Sequence, residues 1–115
     1  MQEKQNYSKH RQYYRIRYPL SYRPKIRIQN EDYECHIVEL SERGAKFICE
    51  GNSILSEGSD LEVNITFRDG ESFELTGEIL RVTKEGVIVR FLDWLPLSRV
   101  MKEQIYLRNH FVGRM

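Results

Sequence analysis

Apolar and polar residues alternate along most of the chain, a period of two that is typical of β-strands with one buried face. The clearest run spans residues 61–67, and the Asp69-Gly70 pair that follows it predicts a hairpin turn. Five further runs show the same alternation, at residues 22–28, 33–38, 45–49, 73–79 and 87–92. Six strands at this spacing predict a mainly β fold, a closed or nearly closed antiparallel barrel without exposed strand edges.

The period changes to that of a helix near the end of the chain. Eight positions, most of them apolar, share one broad arc at about 100° per residue: Leu97, Val100, Met101, Gln104, Ile105, Leu107, Phe111 and Val112. This spacing predicts a C-terminal α-helix from Leu97 to about Phe111, with Pro96 in its first turn and Gly113 at its end. We expect its apolar face to pack on the barrel or on a second subunit.

The start of the chain is polar and irregular. Residues 1–9 show no period and are expected to be mobile. Residues 14–20 alternate, but Pro19 and Pro24 argue against a helix or a central strand there. A chain of 115 residues is expected to form one domain, here about residues 10–112. Its predicted parts are a flexible N-terminal arm (1–18), the β-barrel (19–95) and the C-terminal helix (96–112).

Charge is distributed unevenly, although the whole chain carries a net charge of only +1. Residues 1–27 carry eight Lys or Arg and one Glu, a net charge of +7. Residues 28–93 carry six basic and fifteen acidic residues (−9), and residues 94–115 four basic and one acidic (+3). A basic arm on an acidic body favours an anionic ligand at the arm. The alternative is that the arm lies across the acidic body through screened ion pairs.

Cysteine and histidine spacing gives no metal site. Cys35 and Cys49 lie inside apolar strand-like runs and are expected to be buried reduced thiols, with a disulfide left open. His10, His36 and His110 do not fall at zinc-finger spacing. No apolar run is close to the length of a membrane span, about 18 residues. The first residues lack the apolar core of a signal peptide. The sequence therefore predicts a cytoplasmic protein without a cofactor.

The arm carries the residues most suited to an anionic ligand. Arg11, Arg15 and Arg17 are interleaved with Tyr13 and Tyr14. The planar fork of a guanidinium binds a phosphate or a guanine edge with two parallel hydrogen bonds. An aromatic ring beside it offers a face on which a base can stack. We interpret the arm as half of a nucleotide-binding clamp.

A second motif interrupts the alternation between the second and third predicted strands. It reads Glu39-x-Ser41-x-x-Gly44, and its serine and glycine suit a tight turn in which Gly44 is free to take a positive φ. The Ser41 hydroxyl can donate a hydrogen bond to a ligand, and glycine allows backbone to approach it closely. Ordinary turn chemistry is the alternative explanation of both residues.

The first motif is Arg11-x-x-x-Arg15, and the second is Glu39-x-Ser41-x-x-Gly44. In this order, on six predicted strands with a terminal helix, they resemble the PilZ domain family. That family's pattern is RxxxR followed by (Asp/Asn)xSxxG, and the resemblance covers about His10 to Phe111. It implies a receptor that binds the bacterial second messenger cyclic di-GMP without catalysis. It also implies that closure of the arm relays the signal to a partner protein in motility, pili or exopolysaccharide synthesis.

Carried over by motif, Arg11 and Arg15 bind guanine edges and phosphates, and Ser41 and Gly44 match the family pattern outright. Glu39 stands where the family has Asp or Asn. It keeps the carboxylate chemistry that suits a guanine edge, but its reach is one methylene longer. Arg17 and Arg43 are additional candidate contacts, because each lies beside one of the two motifs.

Three other functions are open at this point. The glutamate at position 39, where the family has Asp or Asn, favours a degenerate family member that no longer binds the nucleotide and binds proteins instead. A small barrel that binds RNA or single-stranded DNA through the arm is disfavoured, because the acidic body would repel a long polyanion. An enzyme is disfavoured because no nucleophile–base pair, metal spacing or phosphate-binding loop occurs. We expect no attached output domain, an unidentified output protein as partner, and a monomer or homodimer.

Overall fold

The computed structural model describes residues 15–28, 35–49 and 55–112. Within these residues seven strands come first: β1 (Ile16–Arg17), β2 (Lys25–Ile28), β3 (Cys35–Leu40), β4 (Gly44–Cys49), β5 (Asp60–Thr66), β6 (Ser72–Thr83) and β7 (Gly86–Phe91). Helix α1 (Leu97–Leu107) follows and continues into a π-helical turn over Arg108–Val112. The predictions of a mobile arm at 1–9 and of a helix end at Gly113 lie outside the described residues.

Six of the strands close into an antiparallel barrel, which confirms the predicted fold class. Going round the barrel the order is β3-β2-β5-β6-β7-β4, and β4 pairs with β3 to close it. The two-residue strand β1 is additional and pairs with the end of β3, beyond the residues of β3 that pair with β2, with Ile16 opposite Leu40 and Arg17 opposite Glu39. This pairing fixes the end of the arm next to the start of the β3–β4 turn.

Alternation along the strands fills the barrel with apolar side chains. Strand β5 illustrates the pattern, since Val63 and Ile65 are buried while Glu62 and Thr66 are exposed. The largest buried apolar side chains are Phe47, Phe91, Ile26, Ile37, Leu40, Ile65, Ile79 and Leu95. Burial of such a side chain stabilises the fold by about 1.5–3 kcal/mol. The core therefore comes from the same alternating positions that predicted the strands.

Two β-bulges bend the barrel wall on the side that faces the end of the arm. The register of β3 against β4 shifts between Ile37 and Glu39, and that of β6 against β7 shifts between Ile79 and Arg81. A bulge increases local twist and redirects side chains. Beyond its bulge β6 runs on to Thr83, which makes it longer than the predicted strand.

The prediction of reduced cysteines was wrong. Cys35 and Cys49 are directly opposite each other on β3 and β4, with their Cα atoms 4.0 Å apart and their sulfurs bonded. The two thiols meet because the β3–β4 hairpin has this particular register, which the sequence pattern alone does not specify. The disulfide links the far end of the hairpin whose turn carries Ser41 and Gly44.

Helix α1 starts where predicted, but only part of the predicted apolar face packs on the barrel. Its buried residues are Arg99, Val100, Glu103 and Leu107. Leu97, Met101 and Ile105, which the apolar arc placed inward, are exposed. Pro96 occupies the N-cap position, just before the first turn. Within the described part of the chain, no helix has the length and apolar character needed to cross a membrane.

Candidate functional site

A surface cavity of about 270 Å³ lies where β1, the β3–β4 turn and the β6–β7 hairpin meet. Its lining consists of Arg15, Glu39, Leu40, Ser41, Arg43, Gly44, Ala45, Lys46, Leu80, Ile88, Val89 and Arg90. Five of the predicted site residues are therefore around one cavity: Arg15, Glu39, Ser41, Arg43 and Gly44. Arg17 is not part of the lining, and Arg11 lies outside the described residues. We call this space the cationic cavity.

The cationic cavity combines a basic rim with an apolar wall. Four of its lining residues carry positive charge, Arg15, Arg43, Lys46 and Arg90, and one, Glu39, carries negative charge. The wall is largely aliphatic, with side chains such as those of Leu80, Ile88 and Val89. Such a site favours an anion that also has a flat apolar face, because the cations attract the charge and the wall contacts the ring.

Lys46 and Arg90 also line the cavity, although the sequence pattern did not predict them as candidates. Strand pairing brings them to the cavity, since Lys46 is opposite Ile88 and Gly44 is opposite Arg90 in the β4–β7 ladder. Arg90 also forms an ion pair with Glu78 on β6. In a strand with alternating apolar and polar residues, a basic residue is normally exposed to solvent. Only the pairing of β4 with β7 in the closed barrel distinguishes Lys46 and Arg90 from other surface cations.

The β3–β4 turn is built by Ser41. Its backbone N–H donates to the carbonyl of Gly44 at 2.9 Å, and its hydroxyl oxygen accepts from the backbone N–H of Arg43 at 3.2 Å. The backbone N–H of Phe91 then donates to the carbonyl of Arg43 at 2.7 Å. These bonds fix the turn against the end of β7, so that Ser41 and Arg43 face the cationic cavity from a rigid support.

The prediction of a positive φ at Gly44 was wrong. Among the described glycines, positive φ occurs at Gly58, Gly70 and Gly86. Gly44 instead serves close packing, because a Cβ built on it would lie 2.5 Å from the carbonyl oxygen of Val89. Real Cβ atoms do not approach a backbone oxygen so closely, so glycine is required for β4 and β7 to meet beneath the cavity.

We expect Gly44→Ala to lower the free energy of unfolding by about 1–3 kcal/mol, because the added methyl must push β4 away from β7. Denaturant unfolding measures this change. Ser41→Ala is the matched control in the same turn, since it removes about 1 kcal/mol of hydrogen bonding without a collision. A Gly44→Ala variant as stable as the wild type would show that the two strands are not in close contact there.

The carboxylate of Glu39 has a partner on the arm. Arg17 Nη2 lies 3.1 Å from Glu39 Oε2, because the pairing of β1 with β3 places the two residues opposite each other. The side chain of Arg17 is 82% exposed. An exposed pair of this kind contributes at most about 1 kcal/mol, so a ligand that competes for Glu39 can replace it readily.

Arg43 connects the cavity with the loop before α1. Its guanidinium carbon lies 4.1 Å from the ring centroid of Trp94, a cation–π contact. The same loop is tied to the turn by a hydrogen bond from the Leu95 N–H to the Glu42 carbonyl at 2.9 Å. A ligand that draws Arg43 into the cavity therefore changes the environment of Trp94.

Comparison with known proteins gives one family. A family model described as PilZ domain matches residues 9–105. No match was found among curated proteins or among solved structures. Within the described residues, no group of three or more His, Cys, Asp or Glu side chains is arranged to hold a metal ion.

Proposed function

The chain belongs to the PilZ family, and from that membership we propose that it is a non-catalytic receptor for cyclic di-GMP that binds at the cationic cavity. One observation carries the proposal. Arg15 of the RxxxR motif and Ser41 and Gly44 of the second motif line the same basic cavity, although Arg15 precedes Ser41 by 26 positions. Two phosphates and two guanines are the groups that such a rim and wall suit.

In this proposal Arg11 and Arg15 bind guanine edges and phosphates. Guanine presents its O6 and N7 acceptors in the geometry that an arginine fork matches, a contact that contributes about 1–3 kcal/mol. Arg43 and the two strand cations, Lys46 and Arg90, add positive charge for the phosphates. Glu39 accepts from the N1–H and N2–H groups of a guanine after it releases Arg17.

We propose further that the ligand acts by drawing the N-terminal arm onto the barrel, which presents a changed surface to an output protein. A second messenger of this kind acts in the cytoplasm, so we place the protein there. By analogy with the family, the output is motility, pili or exopolysaccharide synthesis. No cofactor takes part in this mechanism, and it operates in a monomer or in a homodimer.

The single tryptophan, Trp94, offers a direct test of binding at the cavity. Cyclic di-GMP is expected to change its fluorescence in a saturable way, because Arg43 leaves the indole face when it contacts the ligand. GTP at the same concentration is the control for a non-specific effect of charge. A wild-type titration without any change in emission would contradict the role of Arg43.

A second candidate function is a protein-binding module that has lost the nucleotide. Two observations favour it: the Arg17–Glu39 pair occupies the carboxylate of the second motif, and α1 exposes Leu97, Met101 and Ile105. A partner isolated with the purified protein distinguishes the two functions. Binding of that partner should depend on cyclic di-GMP if the protein is a receptor, and be indifferent to it otherwise.

A further inference from the structure

The chain leaves the arm through Tyr18, which is fixed at both its backbone and its side chain. The backbone N–H of Tyr18 donates to the carbonyl of Val38 on β3 at 2.9 Å. Tyr18 is 3% exposed, and its hydroxyl donates to Glu103 Oε1 of α1 at 2.7 Å. Tyr18 follows Arg15 by three residues. Its two bonds therefore set the direction in which the arm approaches the cationic cavity.

The carboxylate that receives this bond is itself rigidly placed. Glu103 is fully buried, and Arg99 Nη2 donates to its Oε2 at 2.6 Å. Arg99 Nη1 donates to Asp69 at 2.8 Å and to Glu71 at 2.7 Å, both in the β5–β6 turn. The position of Glu103 therefore depends on the barrel as well as on the helix.

The pKa shifts in the cluster follow from these contacts. Burial, together with the charge of Glu103, raises the pKa of Tyr18 above its ordinary value, so the hydroxyl stays protonated and remains a donor. The hydrogen bond from Arg99 holds the pKa of Asp69 well below its usual range. Burial disfavours the charge of Arg99, but its hydrogen bonds to the three carboxylates outweigh this and raise its pKa.

We propose that Tyr18 and Glu103 are positioning residues for the ligand site, through which helix α1 determines where Arg15 meets the cationic cavity. The inference rests on the proposed function in one respect: if cyclic di-GMP binds at the cavity, its binding is coupled to the position of α1. Coupling between two sites is reciprocal. A partner protein that displaces α1 therefore weakens ligand binding, and the ligand in turn stabilises the seated helix.

Tyr22 provides a matched comparison inside the same cluster. Its hydroxyl donates to the same Glu103 oxygen at 3.0 Å, and its ring packs edge-on against that of Tyr18 at 5.4 Å between centroids. Tyr22 lies beyond the turn at Pro19, whose carbonyl accepts its backbone N–H. Tyr18→Phe and Tyr22→Phe thus each remove one hydrogen bond from Glu103, but only Tyr18 adjoins the arm.

The experiment measures two quantities for each variant: the Kd for cyclic di-GMP, and amide hydrogen exchange of residues 16–18 without ligand. Tyr18→Phe is expected to weaken binding about tenfold, a size typical of coupled sites, and to accelerate exchange at residues 16–18. Tyr22→Phe is expected to change Kd less than about twofold and to leave this exchange unaltered.

Equal effects of the two variants, or no effect of Tyr18→Phe on exchange, would overturn the inference. The exchange measurement needs no ligand, so it decides the positioning role even if the wild type binds no cyclic di-GMP. In that case the proposed function fails, and accelerated exchange in Tyr18→Phe alone still supports control of the arm by α1.

Discussion

Glu103→Ala is expected to lower the free energy of unfolding by about 3–5 kcal/mol, the largest effect that we predict for a single substitution. The variant removes the helix partner of the Arg99 guanidinium, which is 2% exposed and keeps only Asp69 and Glu71 as partners. It also leaves the hydroxyls of Tyr18 and Tyr22 without their acceptor. A buried charge or donor that loses its partner retains the full desolvation penalty. Equilibrium unfolding in urea measures the change.

Two further variants make this test specific. Ile105→Ala, on the exposed side of the same helix, removes a side chain that is 52% exposed and should cost less than about 1 kcal/mol. Glu103→Gln keeps an oxygen acceptor but removes the charge, so its loss should fall between the other two. If Glu103→Ala destabilises no more than Ile105→Ala, the buried cluster does not contribute to stability as we describe.

Arg15→Ala is expected to weaken binding of cyclic di-GMP about 5- to 150-fold, the range that corresponds to loss of one bidentate arginine–guanine contact. Arg15 is the residue of the RxxxR motif that the structure places in the cationic cavity. The remaining cations continue to attract the phosphates, so some affinity should persist. Competition against a labelled ligand at fixed salt measures the change.

Lys25→Ala is the matched control for charge. Lys25 is exposed on β2, pairs across the ladders with His36 and Thr66, and is not part of the cavity lining. The Lys25→Ala variant also removes one positive charge, but away from the cavity. Its effect on Kd should therefore be less than about twofold at physiological salt. Equal losses in the two variants would mean that overall charge, rather than a contact of Arg15, determines affinity.

Strand positions could be predicted because the barrel uses one simple rule. A side chain that faces inward is apolar and its neighbour is polar, as Glu62, Val63 and Asn64 show on β5. The expectation that inward-facing side chains are apolar failed on α1, where Arg99 and Glu103 occupy inward positions. Their partners are side chains of the β5–β6 turn and Tyr18 at the end of the arm, about 30 to 85 residues away in sequence. A helical wheel contains no information about such partners.

The candidate site was predictable only as far as its motifs are local. Arg15, Ser41 and Gly44 follow from spacing within a few residues, and the structure brings them to one cavity. Lys46 and Arg90 reach it through the register of two strands that are far apart in the sequence. The disulfide and the packing role of Gly44 depend on that kind of register as well, so neither follows from a local pattern.

Isothermal titration calorimetry of the purified wild-type protein with cyclic di-GMP decides whether the protein binds this nucleotide. We expect saturable heat of binding at micromolar ligand, strongly reduced in Arg15→Ala and retained in Lys25→Ala. A flat titration of the folded wild-type protein would contradict the claim that the two motifs form a site for this nucleotide.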